Sequence, residues 1–293
     1  MNNKTKQRRP KFPPWIRVKV GVGSGKGEVS RILKELNLNT VCSSAGCPNL
    51  DECWRRNTAT FMILGDECTR NCRFCAVKHC DMPAAADPSE PANVAEAAVR
   101  LKLKYVVVTS VTRDDLSDGG SSQFAETICE IRRRDPAIEV EVLTPDYLGD
   151  NLKTVLNAEP VVFNHNIETV ERLSREIRIK ADYRRSLEVL KSAVELSGSG
   201  TAVKSGLMVG MGERDEEVET TICDIRKTGA SILTIGQYLP PSGAHWELER
   251  YVEPAKFEKW KDFALDLGFK NVASAPLVRS SYHADMLHDN VIR

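Results

Sequence analysis

Short apolar, β-branched runs alternate with longer amphipathic segments along most of this chain. The runs Phe61–Leu64, Tyr105–Thr109, Glu139–Thr144, Val161–Asn164, Ala202–Val209 and Ile232–Gly236 have the length and composition of buried strands. The first ends at the turn signal Gly65-Asp66. Helical spacing occupies Glu28–Leu36, Ala92–Leu103, Ser122–Arg134, Leu148–Leu156, Glu168–Glu176, Tyr183–Leu196, Asp215–Lys227 and Pro254–Leu267, with a short segment, Asn271–Ser281, after the last. Gly21–Gly27 reads as a flexible turn.

Strands that alternate with helices of this length predict parallel β/α units. About six such units between residues 61 and 236 predict an α/β fold, a partial (β/α)6 TIM-type barrel. Its span is 58–250, with an N-terminal extension over 1–57 and a C-terminal extension over 251–293. Chemistry in such barrels collects on loops at the C-terminal ends of strands.

Charge and composition narrow the function classes. Lys plus Arg and Asp plus Glu both number 41, so the formal net charge is zero and no broad attraction for nucleic acid is expected. No apolar run has the length to cross a bilayer. Met1–Lys11 is basic and polar with no apolar stretch behind it, so it reads as an arm rather than a secretion signal. A cytoplasmic location is therefore expected, where nine cysteines point to metal binding or catalysis more than to disulfides.

Cys68-Thr69-Arg70-Asn71-Cys72-Arg73-Phe74-Cys75 puts three thiolates directly after the first expected strand. Soft thiolates suit iron–sulfur clusters, zinc or copper(I), and three of them on a four-iron cubane leave one iron open. The competing interpretation is core packing on one helix face, which the preceding strand and turn disfavour. Cys42, Cys47 and Cys53 form a wider triad around Gly46 and Pro48, which break any shared helical face. Zinc is the stronger rival there, although closed zinc sites assemble four ligands. Cys129 and Cys223 lie among isoleucines in helical segments and read as core packing. Cys80, before Asp81-Met82-Pro83, reads as either a spare ligand or part of a surface turn.

The Cys68-x3-Cys72-x2-Cys75 spacing, with Phe74 before the last cysteine, resembles the radical S-adenosylmethionine superfamily. With Cys42-x4-Cys47-x5-Cys53 and the late Arg279-Ser280-Ser281-Tyr282, the chain resembles the lipoyl synthases from Pro13 to Ala284. Arg113–Gly120, Phe163–Val170, Lys204–Glu213 and Gly236–Leu239 are similar to that family's strand-end loops. Thr112, where an acid is usual, Arg178-Ile179-Lys180 in place of Arg-Pro-Gly, and the stretch from Pro240 to Trp246 depart from it.

The resemblance implies two [4Fe-4S] clusters and S-adenosylmethionine as cofactors. The cluster on Cys68, Cys72 and Cys75 would bind S-adenosylmethionine at its open iron, and a reducing electron would give a 5′-deoxyadenosyl radical. An auxiliary cluster on Cys42, Cys47, Cys53 and Ser281 would be the sacrificial sulfur source, inserting two sulfurs at C6 and C8 of a protein-bound octanoyl-lysyl group. Gly119 and Gly120 would let backbone approach the methionine moiety. Asn164 and Asn166 suit adenosine or substrate contacts, and Arg178 a carboxylate. Implied partners are an octanoylated carrier protein or domain, an electron donor and a cluster-rebuilding carrier; no nucleic acid, no membrane and a monomer are expected. Rival readings are a methylthio-transferring or biotin-forming radical enzyme, a zinc module, and a simple electron carrier.

Overall fold

The computed structural model describes residues 12–16, 25–44, 47, 49–55, 58–198, 200–282 and 284–287. The expected arm at 1–11, most of the expected turn at 21–24, and Gly46 and Pro48 lie outside them. In chain order the strands are β1 (Asn39–Thr40), β2 (Thr58–Ile63), β3 (Glu67–Cys68), β4 (Lys78–His79), β5 (Tyr105–Ser110), β6 (Glu139–Leu143), β7 (Val162–Asn164), β8 (Ala202–Val209), β9 (Ile232–Gln237) and β10 (Asn271–Ala275). The helices begin with α1 (Gly25–Glu35), α2 (Val41–Ser44), α3 (Leu50–Arg55), α4 (Glu90–Arg100) and α5 (Ser121–Arg134). They continue with α6 (Gly149–Asn157), α7 (Glu171–Ile177), α8 (Tyr183–Leu196), α9 (Asp215–Lys227) and α10 (Pro254–Asp266).

One sheet carries the order β1-β2-β5-β6-β7-β8-β9-β10, and every neighbouring pair from β2 to β10 is parallel. The antiparallel β1 on β2 and the strand β10 stand at its two edges, so the barrel is partial and open. Because βα crossovers cover its outer surface, the strands are largely buried, with a mostly apolar outer face and a partly polar inner one. Side chains alternate between two environments. Val106, Val108, Val142, Phe163, Leu207 and Ile235 join the main core shared with Phe124, Ile128, Leu152, Leu190, Ile222 and Ile225 of the helices. The opposite faces meet the C-terminal tail: Ala284 packs on Tyr105 and Val107, and Leu287 on Val162 and Ile232. The helical turn at 284–287 thus plugs one end of the lumen.

Three expectations need correction. The segment after α10 is strand β10, which adds a seventh parallel strand to the expected six. The helix expected from Glu168 begins at Glu171. Glu168 instead takes a left-handed φ of 66° and bridges to β8: its N–H donates to the Gly206 carbonyl, and its own carbonyl accepts from Met208 N–H. Residues 25–27, expected in a flexible turn, start α1.

Candidate active site

The loop after β2 begins with Leu64 and Gly65, both at positive φ (68° and 91°), so the chain turns sharply before Cys68. Cys68 lies in β3; Cys72 and Cys75 follow in irregular chain, so the three do not share a helix face. Backbone N–H groups of Arg70 and Thr112 donate to Cys68 Sγ at 3.4 and 3.3 Å, and Val77 N–H donates to Cys75 Sγ at 3.5 Å. Burial pushes the Cys72 thiol up to about 12, helped by Cys75 and opposed by Arg178. Burial pushes Cys75 up to about 11. Thiols held this way keep their protons until a strong cation draws the thiolate out.

Among the described residues no three His, Cys, Asp or Glu side chains close on one point as ligands of a single ion would. A cubane cluster puts each thiolate on its own iron corner and needs a wider set, which a half-buried, soft, three-thiol donor group fits.

The loop is clamped from several elements. Arg70 binds Asp114 through two nitrogens at 2.9 and 3.0 Å and reaches Asp146 at 2.9 Å; Arg185 meets the same Asp146 oxygen at 2.9 Å. Lys180 Nζ donates to the Thr69 carbonyl at 3.1 Å. The Arg73 guanidinium lies 4.3 Å from the Trp246 ring centroid, while Trp246 N–H donates to the Arg73 carbonyl at 2.7 Å and its indole N–H to Met211 O. The stretch from Pro240 that departs from the family pattern therefore packs on the cysteine loop.

Behind the cysteines sits a buried polar relay. His165, lowered to about 4 by burial against the opposing pull of Asp146, is neutral at pH 7. Its Nδ1–H donates to Thr144 O, and its Nε2 accepts from the Ser186 hydroxyl, itself an acceptor from Arg178 Nη2. Arg178 is only 4 % exposed, and burial lowers its pKa while Glu168 and Asp146 oppose. Its Nη1 is buried without a partner among the described residues, as are Asn164 Oδ1 and Asn166 Oδ1. A buried cationic donor beside amide acceptors fits a zwitterionic amino-acid ligand next to Cys72. Burial raises the pKa of Glu168, with Arg178 opposing.

Gly119 and Gly120 have φ of 61° and 87°. A Cβ on Gly119 would touch Tyr147 Cε1 at 3.0 Å, and one on Gly120 would overlap the Leu64 side chain. The pair is thus required by the fold, and it brings backbone up to the start of the cysteine loop.

In the second triad Cys42 is buried, which pushes its thiol up to about 11 with help from Cys47. Cys47 N–H donates to Cys42 O, and Cys53 N–H to Asn49 O. Ser281 lies in the turn Arg279–Tyr282, closed by Tyr282 N–H donating to Arg279 O. Both flanks of this turn touch the cysteine segment: Arg279 is near enough to Cys47 to feel its charge, and the Tyr282 hydroxyl donates to Glu52 at 3.1 Å, beside Cys53. Asn49 Nδ2 donates to Leu277 O at 2.7 Å.

Cys129 is exposed, not core-packed, because it falls on the outer face of α5; Cys223 is half-buried. Cys80 is half-buried, and its N–H donates to Cys68 O. Glu168 and Ser280 lie in the family-like stretches but had no role of their own there, and Asp146 lay outside them. A carboxylate just beyond a strand end was the available signal for Glu168; the other two act only through distant chain.

Residues 62–225 match the family model described as the Radical SAM superfamily. The lipoyl synthase of Caldanaerobacter subterraneus subsp. tengcongensis is 52 % identical over 276 residues, 94 % of this chain and 96 % of that one. The lipoyl synthase of Methylococcus capsulatus is 53 % identical over 276 residues, covering 93 % and 85 %. Among solved structures, the FeFe-hydrogenase maturase of Carboxydothermus hydrogenoformans aligns with a TM-score of 0.57 at 13 % identity, over 91 % of this chain and 78 % of that one, a likeness of fold.

Proposed function

Because the chain belongs to the lipoyl synthase family of the radical S-adenosylmethionine superfamily, we propose that it inserts two sulfur atoms, at C6 and C8, into an octanoyl-lysyl group on a carrier protein. Its cofactors are two [4Fe-4S] clusters and S-adenosylmethionine. The observation that supports the reading is the Arg279–Tyr282 turn, which touches the segment of the N-terminal cysteine triad and reaches Asn166 with Ser280.

When bound, the cofactors supply hydrogen abstraction from unactivated carbon and the sulfur that replaces that hydrogen. The chain's residues bind, orient and exclude water. Cys68, Cys72 and Cys75 hold the first cluster, and Cys42, Cys47, Cys53 and Ser281 the second. A hard serine oxygen on soft iron is a weaker ligand than thiolate, which suits a cluster that must open. Arg178 Nη1 offers a buried cation for the S-adenosylmethionine carboxylate. Gly119 and Gly120 present backbone to its methionine portion. Asn164, Asn166 and Glu168 offer amide and carboxylate oxygens to the adenosine or the substrate.

In this reading parts of 1–57 and 251–293 build the auxiliary site, while β10 in the second extension also adds a strand to the 58–250 barrel. An electron donor and a cluster-rebuilding carrier serve a cytoplasmic monomer. No helix among the described residues is long and apolar enough to cross a membrane.

The test incubates anaerobically reconstituted protein with an octanoyl-lysyl peptide, S-adenosylmethionine and a strong reductant. A peptide mass gain of two sulfurs is expected in the reducing mixture, where the product is a dithiol, and of two sulfurs less two hydrogens once it is oxidised to the disulfide. Unchanged peptide accompanied by 5′-deoxyadenosine would overturn the reading and point to another substrate.

A further inference from the structure

The segment 276–282 is fastened on two sides. Toward the N-terminal cysteines it holds Asn49 through Leu277 O and Glu52 through Tyr282. Toward the barrel, Gln237 N–H donates to Pro276 O, and a Cβ on Gly236 would overlap Val278 O. The deepest contact is one hydrogen bond, Asn166 Nδ2 to Ser280 Oγ at 2.7 Å, between residues 114 positions apart.

We infer that Ser280 is a positioning residue which, through Asn166, fixes the auxiliary site relative to the S-adenosylmethionine site. This deepens the proposed function and rests on it. The amide of Asn166 spends one N–H on Ser280 and the other on Glu168 Oε1 at 3.1 Å, so its orientation is determined from both sides. That orientation turns Oδ1 away from both, buried and without a partner. Ser281 is the next residue along the chain, so a shift at Ser280 is passed to it across one peptide bond. β8 is shaped for the contact: a Cβ on Gly206 would stand 2.9 Å from Asn166 Oδ1 and 3.3 Å from Ser280 Oγ, and would overlap Thr234 Oγ1. Transfer between two sites depends steeply on their separation, since about 1 Å of misplacement can cost a hundredfold.

Ser280→Ala removes the contact from one side, and Gly206→Ala pushes it apart from the other. Both reconstituted variants are expected to keep wild-type iron and sulfide, while 5′-deoxyadenosine formed per sulfur inserted rises about three- to tenfold, the worth of one hydrogen bond. Ser280→Thr, which keeps the hydroxyl, should restore the wild-type ratio. Before any substrate is added, hydrogen exchange of amides 276–282 should be faster in Ser280→Ala. Wild-type coupling in both Ala variants, or unchanged exchange in Ser280→Ala, overturns the inference. So does loss of iron at an unchanged ratio, which marks a purely structural tether. Wild-type enzyme that inserts no sulfur overturns the proposed function instead, and the exchange measurement still judges the contact.

Discussion

Lys204 Nζ stands 2.8 Å from Glu141 Oε1, and both side chains are wholly buried in the barrel lumen. The carboxylate also accepts from the Tyr105 hydroxyl at 3.0 Å and from Asn164 Nδ2 at 3.2 Å, so its lone pairs are satisfied. This layer separates the apolar plug formed by Ala284 and Leu287 from the amides that face the site. Removing one partner of a buried pair costs about 3–5 kcal/mol, because the other charge is stranded. Lys204→Met should therefore lower the stability of the iron-free chain by about that amount in urea titration. Adding Glu141→Gln removes the stranded charge yet keeps an acceptor for Tyr105 and Asn164. The double variant should recover at least half of the loss, and equal instability of both variants would refute the pairing.

His165 makes stability depend on pH. Burial lowers it from 6.5 to about 4, so between those values the unfolded chain binds a proton that the native state does not. Stability is then full above pH 6.5 and falls as the pH drops toward 4, by up to about 1.4 kcal/mol per pH unit. His165→Gln has no such proton to bind. Its denaturation midpoint should change less between pH 7 and pH 5 than that of wild type, and parallel profiles would sink the assignment.

What the sequence disclosed divides by range. α8, α9 and β8 fall where periodicity puts them, because each is a long run with one repeat and clear ends. β1, β3 and β4 are pairs of residues and carry no period to find. β10 reads Asn-Val-Ala-Ser-Ala, half-exposed at the sheet edge, so burial left only a faint alternation. The cysteine triads stand out in the sequence because their members are close along the chain. Arg178 was expected to suit a carboxylate, but its burial had no local signal; only tertiary packing of the α7 end against Ser186 and Asn166 buries it. The Asn166–Ser280 and Arg70–Asp146 contacts join residues far apart in the chain, and no local pattern announces them.

Lys180 occupies a left-handed backbone position, φ 65°, where the family usually has glycine. The strain for a side-chain-bearing residue is about 1–2 kcal/mol. Its hydrogen bond to Thr69 O in the cysteine loop returns about 0.5–1.5 kcal/mol. Lys180→Ala keeps the strain and loses the bond, so it should be destabilised. Lys180→Gly loses the bond but relieves the strain, less about 0.5–1 kcal/mol for glycine's unfolded-state freedom. The glycine variant should therefore lie near wild type and above the alanine variant in thermal midpoint. The reverse order would show that Lys180 is not strained.

The two triads should fail in different ways. Replacing Cys72 by Ala removes a thiol whose neighbours are Cys75, Cys68 and Arg178, while Cys42 and Cys47 touch a separate part of the chain. Reconstituted Cys72→Ala should keep the auxiliary cluster's iron, about four atoms, and cleave no S-adenosylmethionine. Cys42→Ala should likewise keep about four irons, but with the opposite outcome: S-adenosylmethionine is cleaved and no sulfur enters the octanoyl chain. Iron and sulfide analysis, with 5′-deoxyadenosine and peptide mass measured on the same samples, reads both halves. The distinction follows from the separate mooring of the loops, one by Arg70, Lys180 and Trp246 and the other by Asn49, Glu52 and the Arg279–Tyr282 turn. If Cys42→Ala also abolished cleavage while its remaining iron was intact, the sites would not be independent, and the division of labour between the triads would have to be abandoned.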